Sequence, residues 1–248
     1  MSQFSPLHIT FAVYILGMVG IGFAAWFYTR SFDDYILGGR SLGSVVTALS
    51  AGASDMSGWL LLGLPGALYV GGVSESWIAI GLVLGAWFNW KVVAAPLRLY
   101  TERSNNALTL PDYFTHRFED KARLLRIFSA LVILVFFAVY CASGIVAGAR
   151  LFESVFGIPY AQAMWYGAAA TIVYTFVGGF LAVSWTDTVQ ASLMIFALIL
   201  TPVFVVLGTG GPAESLALVE QVNPAHLDFF KGASVVGIIS LLAWGLGY

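Results

Sequence analysis

Charged residues are scarce in this sequence: they make up 10% of 248 residues, whereas globular domains contain about 25%. There is one cysteine, Cys141, so the sequence cannot form an internal disulfide framework. The three histidines, His8, His116 and His226, lack the spacing of a metal site. No phosphate-binding glycine loop, HExxH motif or nucleophile elbow is present. These absences disfavour an enzyme and a disulfide-stapled domain.

Hydrophobic residues make up 59% of the sequence, and the mean hydropathy is +0.87. We therefore predict an all-α polytopic membrane protein, with the lipid bilayer as its surroundings. The first apolar run follows no basic segment and precedes no signal-peptidase motif, so it is predicted to be a retained span. Apolar segments lie at about 7–27, 42–71, 74–97, 127–149, 163–183, 189–208 and 234–248.

The distribution of basic residues predicts that the N-terminus lies outside the cell. With that orientation the inner loops hold Arg30, Arg40, Arg98, Arg103, Arg117, Lys121, Arg123 and Arg126, and the outer loops hold Arg150 and Lys231. We expect these residues to set the topology and contact lipid headgroups, not nucleic acid. In the inner loop 98–126, Thr109–Asp112 is a helix-start signal that predicts a short amphipathic helix along the membrane.

The second apolar segment has a weak middle, where 51–58 reads Ala-Gly-Ala-Ser-Asp-Met-Ser-Gly. A helix that enters the membrane near Leu42 would carry Asp55 about 20 Å into a hydrocarbon core of about 30 Å. An ionised carboxylate at that depth costs at least about 2.5 kcal/mol, so acids in spans are functional by default. We predict a broken helix with a site at Asp55.

The last apolar segment has a similar weakness, with Gly245 and Gly247 beside Trp244 and Tyr248. Five spans separate the start of one weak segment from the start of the other, so a second copy of a five-helix repeat would begin on the opposite side of the membrane. Paired glycine-interrupted segments in inverted repeats are typical of a transporter's binding site; close helix packing is the alternative. The segment is shorter than the roughly 20 residues of a span, so we expect a fragment of a longer protein.

Four motifs together resemble the sodium:solute symporter family over essentially the whole chain. They are Ala51–Trp59, Asn106–Tyr113, Cys141–Arg150 and Gly178–Ala191. The resemblance implies a LeuT-like fold of two inverted five-helix repeats. One membrane domain, 1–248, would contain a leading span at 7–27, the first repeat at 42–208 and the truncated start of the second at 234–248. It also implies a monomeric transport unit in the bacterial cytoplasmic membrane.

The resemblance implies that Na⁺ is the coupling ion, and no organic cofactor is expected. It places two sodium ligands on the backbone carbonyls of Ala53 and Met56, with Asp55 supplying negative charge. Two alternatives stay open for this acid: it could relay protons, or it could be a hydrogen-bonded structural acid.

The resemblance implies sodium-coupled symport of L-proline into the cell by alternating access around Ala53–Trp59. The proline carboxylate suits the amide groups of a second half-helix that starts near Ser57 and Gly58. By resemblance, the proline ring would meet Trp59, Tyr140, Trp244 and Tyr248, with Gly63 leaving room. Ordinary packing is the alternative for these aromatic residues. Rival functions are symport of pantothenate or another amino acid, and a transporter-like membrane sensor.

Two charged residues outside this core are candidates for coupling or gating. Arg40 precedes the broken helix and could pair with an acid, although the topology rule explains it equally well. Asp187 is expected in a short inner turn, Ser184–Thr188. There it would cap the following helix or face the cytoplasm on the sodium exit path.

Overall fold

The structure is a computed structural model that describes residues 6–231 and 234–247, in which all regular structure is helical. Four helical stretches are long and apolar enough to cross a membrane: Pro6–Tyr28, Val73–Arg103, Leu124–Phe156 and Tyr160–Gly208. The prediction of an all-α membrane protein is confirmed. The inverted repeat stays a prediction.

The helices in the described residues are α1 (Pro6–Tyr28), α2 (Phe32–Leu37), α3 (Ser44–Met56), α4 (Gly63–Gly71), α5 (Ser76–Phe88), α6 (Ala95–Arg103), α7 (Leu110–Arg117), α8 (Leu124–Phe156), α9 (Tyr160–Gly208), α10 (Pro212–Val222) and α11 (Val235–Leu246). Short 3-10 turns lie at Gly38–Arg40, Ser57–Trp59, Val73–Glu75 and Pro224–Leu227. A π-helical segment, Asn89–Ala94, joins α5 to α6.

The described residues form two compact units. The first contains the residues up to Ser57 together with Leu108–Leu193, and the second contains Gly58–Ala107 together with the residues from Met194 onward.

In the first unit, α1 packs closely against α9. Ala25 and Ala182 are fully buried there, and Leu181 lies beside them. The amide of Gln190 donates a hydrogen bond of 2.7 Å to the hydroxyl of Tyr14. This polar contact and the small buried residues hold the two helices together, as is usual for helices in lipid.

The long helical stretch α9 consists of two helices that meet at Gly179, where φ is 60° and ψ is −151°. Residues with a side chain rarely adopt this conformation. A Cβ atom built on Gly179 would lie 2.7 Å from the carbonyl oxygen of Tyr35, which also excludes a side chain. The sequence predicted the break at 184–188, and this prediction is wrong. The break lies at Gly179 because the close contact with α2 requires glycine at this position.

The second apolar segment is interrupted, but later than predicted. Residues 51–56 are the C-terminal part of α3, and the interruption spans the 3-10 turn Ser57–Trp59 and the turn at 60–62. The second half-helix, α4, begins at Gly63 and not near Ser57–Gly58. Pro65 accounts for the later start, because proline lacks an N–H and fits only the first turn of a helix.

In the second unit, α5 packs along α11. The indole N–H of Trp77 at the start of α5 donates a hydrogen bond of 3.3 Å to the carbonyl oxygen of Phe229. Ser234 caps the start of α11, where its hydroxyl accepts a hydrogen bond of 3.0 Å from the backbone N–H of Gly237. The segment that precedes α11 and the first turn of α11 are therefore both anchored by polar contacts.

The helix-start signal in the loop 98–126 is confirmed. Thr109 is the N-cap of α7, and its hydroxyl accepts a hydrogen bond of 3.3 Å from the backbone N–H of Asp112. Asp112 also forms an ion pair of 3.0 Å with Arg126 at the start of α8.

Candidate functional site

A buried acid on α9 accepts two hydroxyl hydrogen bonds from α3. One carboxylate oxygen of Asp187 lies 2.9 Å from the Ser50 hydroxyl and 2.8 Å from the Ser54 hydroxyl. Asp187 and Ser50 are each only 7% exposed. Ser50 and Ser54 are four residues apart and therefore share one face of α3. The three side chains form a polar cluster, named here the Asp187 cluster.

The C-terminal turn of α3 adds backbone oxygens next to this cluster. The helix ends at Met56, so Ala53, Ser54, Asp55 and Met56 form its last turn, in which the carbonyl groups commonly lack partners of the α-helical i to i+4 pattern. The hydroxyl of Tyr140 on α8 donates a hydrogen bond to the Ser54 carbonyl and lies 3.5 Å from the Asp55 carbonyl oxygen. Helix C-terminal carbonyls of this kind bind Na⁺ within membranes in transporters with broken helices.

A cavity of about 240 Å³ in the first unit is lined in part by residues of α3 and α9, the two helices that carry the Asp187 cluster. It is lined by Tyr28, Asp34, Gly38, Ser41, Leu42, Gly43, Val46, Leu181 and Trp185. Val46 is one helical turn before Ser50, and Trp185 is two residues before Asp187. The cavity therefore extends along the same two helices that carry the cluster.

Asp34, which lines the cavity, is held by hydrogen bonds at the start of α2. Its backbone N–H donates to the Ser31 hydroxyl, and its carboxylate accepts from the backbone N–H of Ser31 and of Arg30. The hydrogen bond with the Ser31 side chain, followed by the bond from the backbone N–H of Arg30, lowers the pKa of the Asp34 carboxyl group. Asp34 is therefore the N-terminal capping acid of α2.

Two tryptophans meet in the second unit. The rings of Trp59 and Trp244 have centroids 4.8 Å apart and planes inclined at 39°. Trp244 is 49% exposed, so this pair has an open side. A Cβ atom built on Gly63 would lie 2.5 Å from the Trp59 ring, so glycine at this position makes room for the indole of Trp59. An exposed aromatic pair can receive a small ring and stabilise a nearby cation.

The sequence profile of the sodium:solute symporter family matches residues 35–248. The chain belongs to this family. A sodium/proline symporter of Salmonella typhimurium is 71% identical over 244 residues, which cover 98% of this chain and 49% of the relative. A sodium/proline symporter of Escherichia coli is 70% identical over 244 residues with the same coverage, 98% and 49%.

A high-affinity proline transporter of Bacillus subtilis is 54% identical over 231 residues, which cover 93% of this chain and 49% of that protein. The chain thus spans about half the length of the curated relatives it matches. No solved structure gives a significant match.

The predicted position of Asp187 in a turn at Ser184–Thr188 is wrong. Asp187 does not lie in a turn and does not cap a helix, because the helix that carries it begins directly after Gly179. The residue lies about 12 Å along that helix, at ~1.5 Å per residue. Its carboxylate is buried against α3 instead of facing the cytoplasm from a loop. The alternative of a place on the sodium path stays a prediction.

The remaining predicted residues are distributed over both units. Asp55 is exposed at the end of α3, and Arg40 is in the turn before α3 with a φ of 54°. Gly58 has no other described atom within 4 Å of a Cβ built on it. The side chains of Met56 and Ser57 lie outside the described part of the chain, as does Tyr248.

Sequence reasoning missed the two serines that bind the Asp187 carboxylate. The available signal was two hydroxyl residues, Ser50 and Ser54, at helical spacing in an apolar segment. Their acidic partner is more than 130 residues away in the sequence, so one sequence gives no indication of the pairing.

Proposed function

We propose that the full-length protein, of which this chain corresponds to the N-terminal half, carries L-proline into the cell together with Na⁺. The resemblance to curated proline symporters over 98% of the chain is the observation that carries the proposal. Family membership supports a transporter over an enzyme. The protein would act as a monomeric unit in the bacterial cytoplasmic membrane, with its N-terminus outside.

In this proposal Na⁺ is a transported substrate bound by oxygen atoms at the end of α3. The carbonyls of Ala53 and Met56 belong to the last turn of α3, a position at which main-chain oxygens are commonly available to a ligand. Asp55 follows in the same turn and would favour a cation through its negative charge. The longer relatives have a second half that would supply the other ligands.

We propose the Asp187 cluster as a second binding site for the sodium ion on its path through the protein. Its carboxylate is buried and accepts hydrogen bonds from two hydroxyl groups of α3, and the helices that carry the cluster also line a cavity of the same unit. When Na⁺ leaves the end of α3, the Asp187 carboxylate of α9, which contacts Ser54 in the last turn of α3 and Ser50 one turn earlier, offers the next oxygen ligands. This arrangement supports the sodium-path role of Asp187 over a purely structural role.

The solute would bind at the tryptophan pair. Proline combines an apolar ring with an ammonium group, and an exposed indole face suits both. The start of α4, with its amide groups and positive dipole end, suits the carboxylate. Gly58 provides close access to the backbone because no described atom lies within 4 Å of a Cβ built there.

The driving forces are sufficient for accumulation. At about 100 mV one inward charge yields about 2.3 kcal/mol, and a roughly tenfold sodium gradient adds about 1.4 kcal/mol. Together they support accumulation of solute on the order of several hundredfold for each coupled ion.

The test is uptake of radiolabelled proline by the full-length protein in proteoliposomes, with and without a sodium gradient at fixed pH. We expect uptake that requires Na⁺ and is inhibited by unlabelled proline but not by pantothenate. Uptake driven equally well by a proton gradient without Na⁺ would contradict sodium coupling. Absence of proline uptake, with binding of another solute, would support one of the rival functions.

A further inference from the structure

The backbones of α5 and α11 touch where glycines face each other. A Cβ atom built on Gly81 would lie 2.5 Å from the carbonyl oxygen of Leu242 and 3.1 Å from its Cα. A Cβ atom built on Gly245 would lie 2.5 Å from the backbone nitrogen of Leu82. At Gly85 the corresponding distances, to Gly245 and Leu246, are 3.0 Å. No side chain fits at these positions unless one helix moves, because the atoms in the way belong to the main chain.

This crossing is directly connected to the tryptophan pair. Trp244 immediately precedes Gly245 and shares its helical turn, and its ring meets Trp59 at 4.8 Å. α11 is a short helix of 12 residues, and its contact with α5 involves the turn that carries Trp244. The position of α5 therefore sets where the Trp244 ring lies relative to Trp59.

We propose that Gly81 and Gly85 are positioning residues for the solute site: by allowing main-chain contact with α11, they fix Trp244 at the distance at which it meets Trp59. This inference rests on the proposed function. A methyl group at position 81 needs about 1 Å more room to reach an ordinary contact distance. The added room must come from a shift of α11 relative to α5, and such a shift displaces the Trp244 ring from its contact with Trp59.

Close packing alone is the competing explanation, because glycines commonly bring membrane helices together. The two explanations differ in what a methyl group changes. Weaker packing lowers the amount of protein that folds into the membrane and leaves the remaining molecules with normal affinity. A displaced Trp244 lowers the affinity of correctly inserted molecules for the solute.

The experiment compares Gly81→Ala, Gly85→Ala and a matched control, Gly208→Ala, in the full-length protein. Gly208 also lies in a helix, and no other described atom is within 4 Å of a Cβ built on it. Apparent KM for proline and maximal rate are measured by sodium-driven uptake, and the rate is divided by the amount of inserted protein.

An aromatic contact contributes about 0.5–1.5 kcal/mol, so its loss should raise the KM for proline by up to about tenfold in Gly81→Ala. Gly85→Ala should raise it less, since its contacts are longer. The maximal rate per inserted molecule should stay within about twofold of the parent, and Gly208→Ala should match the parent in both values. A parental KM in inserted Gly81→Ala and Gly85→Ala protein overturns the proposal. If the Gly81→Ala protein does not insert into the membrane, the KM of the Gly85→Ala protein tests the proposal. Failure of the proposed function can be distinguished from failure of this inference, because the parent protein itself would then show no sodium-dependent proline uptake.

Discussion

The Asp187 carboxylate lies 2.8 Å from the Ser54 hydroxyl, so an acid within α9 is bound to the C-terminal part of α3. The same serine accepts a hydrogen bond at its carbonyl from Tyr140 of α8. Ser54 therefore links three helices of the first unit through one residue. It stands between Ala53 and Asp55, two residues of the proposed sodium site. Substitution of Asp187 or Tyr140, the two partners of Ser54, should therefore change sodium binding at that site.

Replacement of Asp187 should weaken the response to sodium. Asp187→Ala removes the charge and both hydroxyl contacts, whereas Asp187→Asn keeps an oxygen acceptor without the charge. Hydrogen bonds to charged groups contribute about 1.5–3 kcal/mol, so the half-saturating Na⁺ concentration should rise about tenfold or more in Asp187→Ala and less in Asp187→Asn. The half-saturating Na⁺ concentration is measured by titrating proline uptake of the full-length protein with sodium.

Glu220→Gln is the control for this experiment, because it also removes one negative charge but lies on the exposed surface of α10. The Glu220→Gln protein should have the same half-saturating Na⁺ concentration as the parent protein. If Asp187→Ala also titrates like the parent, the cluster has no place on the sodium path.

Asp55→Asn should abolish sodium-stimulated uptake. The change keeps the shape of the side chain and removes the negative charge next to the carbonyls at the end of α3. Asp55→Glu, which keeps the charge, should retain part of the stimulation. Uptake is measured with and without Na⁺ at one fixed pH. Sodium stimulation of parental size in Asp55→Asn would refute the role of this acid. If a pH gradient replaced Na⁺ in the parent protein, Asp55 would be a proton relay.

The hydroxyl of Tyr140 should contribute measurably to sodium affinity. Tyr140→Phe keeps the ring but loses the hydrogen bond that holds α8 to the Ser54 carbonyl. Hydrogen bonds between membrane helices average about 0.6 kcal/mol, so half-saturating Na⁺ should rise about threefold. Tyr166→Phe, at a 66% exposed position of α9, is the matched control. Equal titrations of Tyr140→Phe and the parent would show that the contact does not hold the sodium ligands.

The tryptophan pair should be energetically coupled in proline binding. Trp244→Ala and Trp59→Ala should each raise the KM for proline, because each change removes one wall of the proposed pocket. Aromatic pairs contribute about 0.5–1.5 kcal/mol beyond burial, so the double variant should lose less than the product of the two single effects. Trp87→Ala, which removes a 58% exposed indole of α5, should have no effect. A parental KM in Trp244→Ala would remove this residue from the site.

The sequence was sufficient for features that depend on local composition. The apolar runs predicted the leading span, the long helix α8 and the approximate extent of the third span, and Thr109 marked the start of α7. These features need only hydropathy and capping chemistry, which are local properties. The interruption of the second segment was also visible as a cluster of small and polar residues.

The features that sequence reasoning misplaced depend on contacts between distant residues. The sequence predicted the break at 184–188, whereas in the structure it lies at Gly179, where the main chain of Tyr35 leaves no room for a side chain. With the break assigned to 184–188, Asp187 was placed in a turn. In the structure it lies inside a helix, against two serines that no local pattern connects to it.

The bend at Gly179 has a consequence for the natural variation of this protein. With φ at 60° and ψ at −151°, and with Tyr35 in the way of any side chain, all other amino acids face the same double penalty, even alanine. A saturation library at this codon of the full-length protein, selected for the proposed proline uptake, should return glycine alone, while the codon of Phe176, which is 78% exposed, should accept many residues.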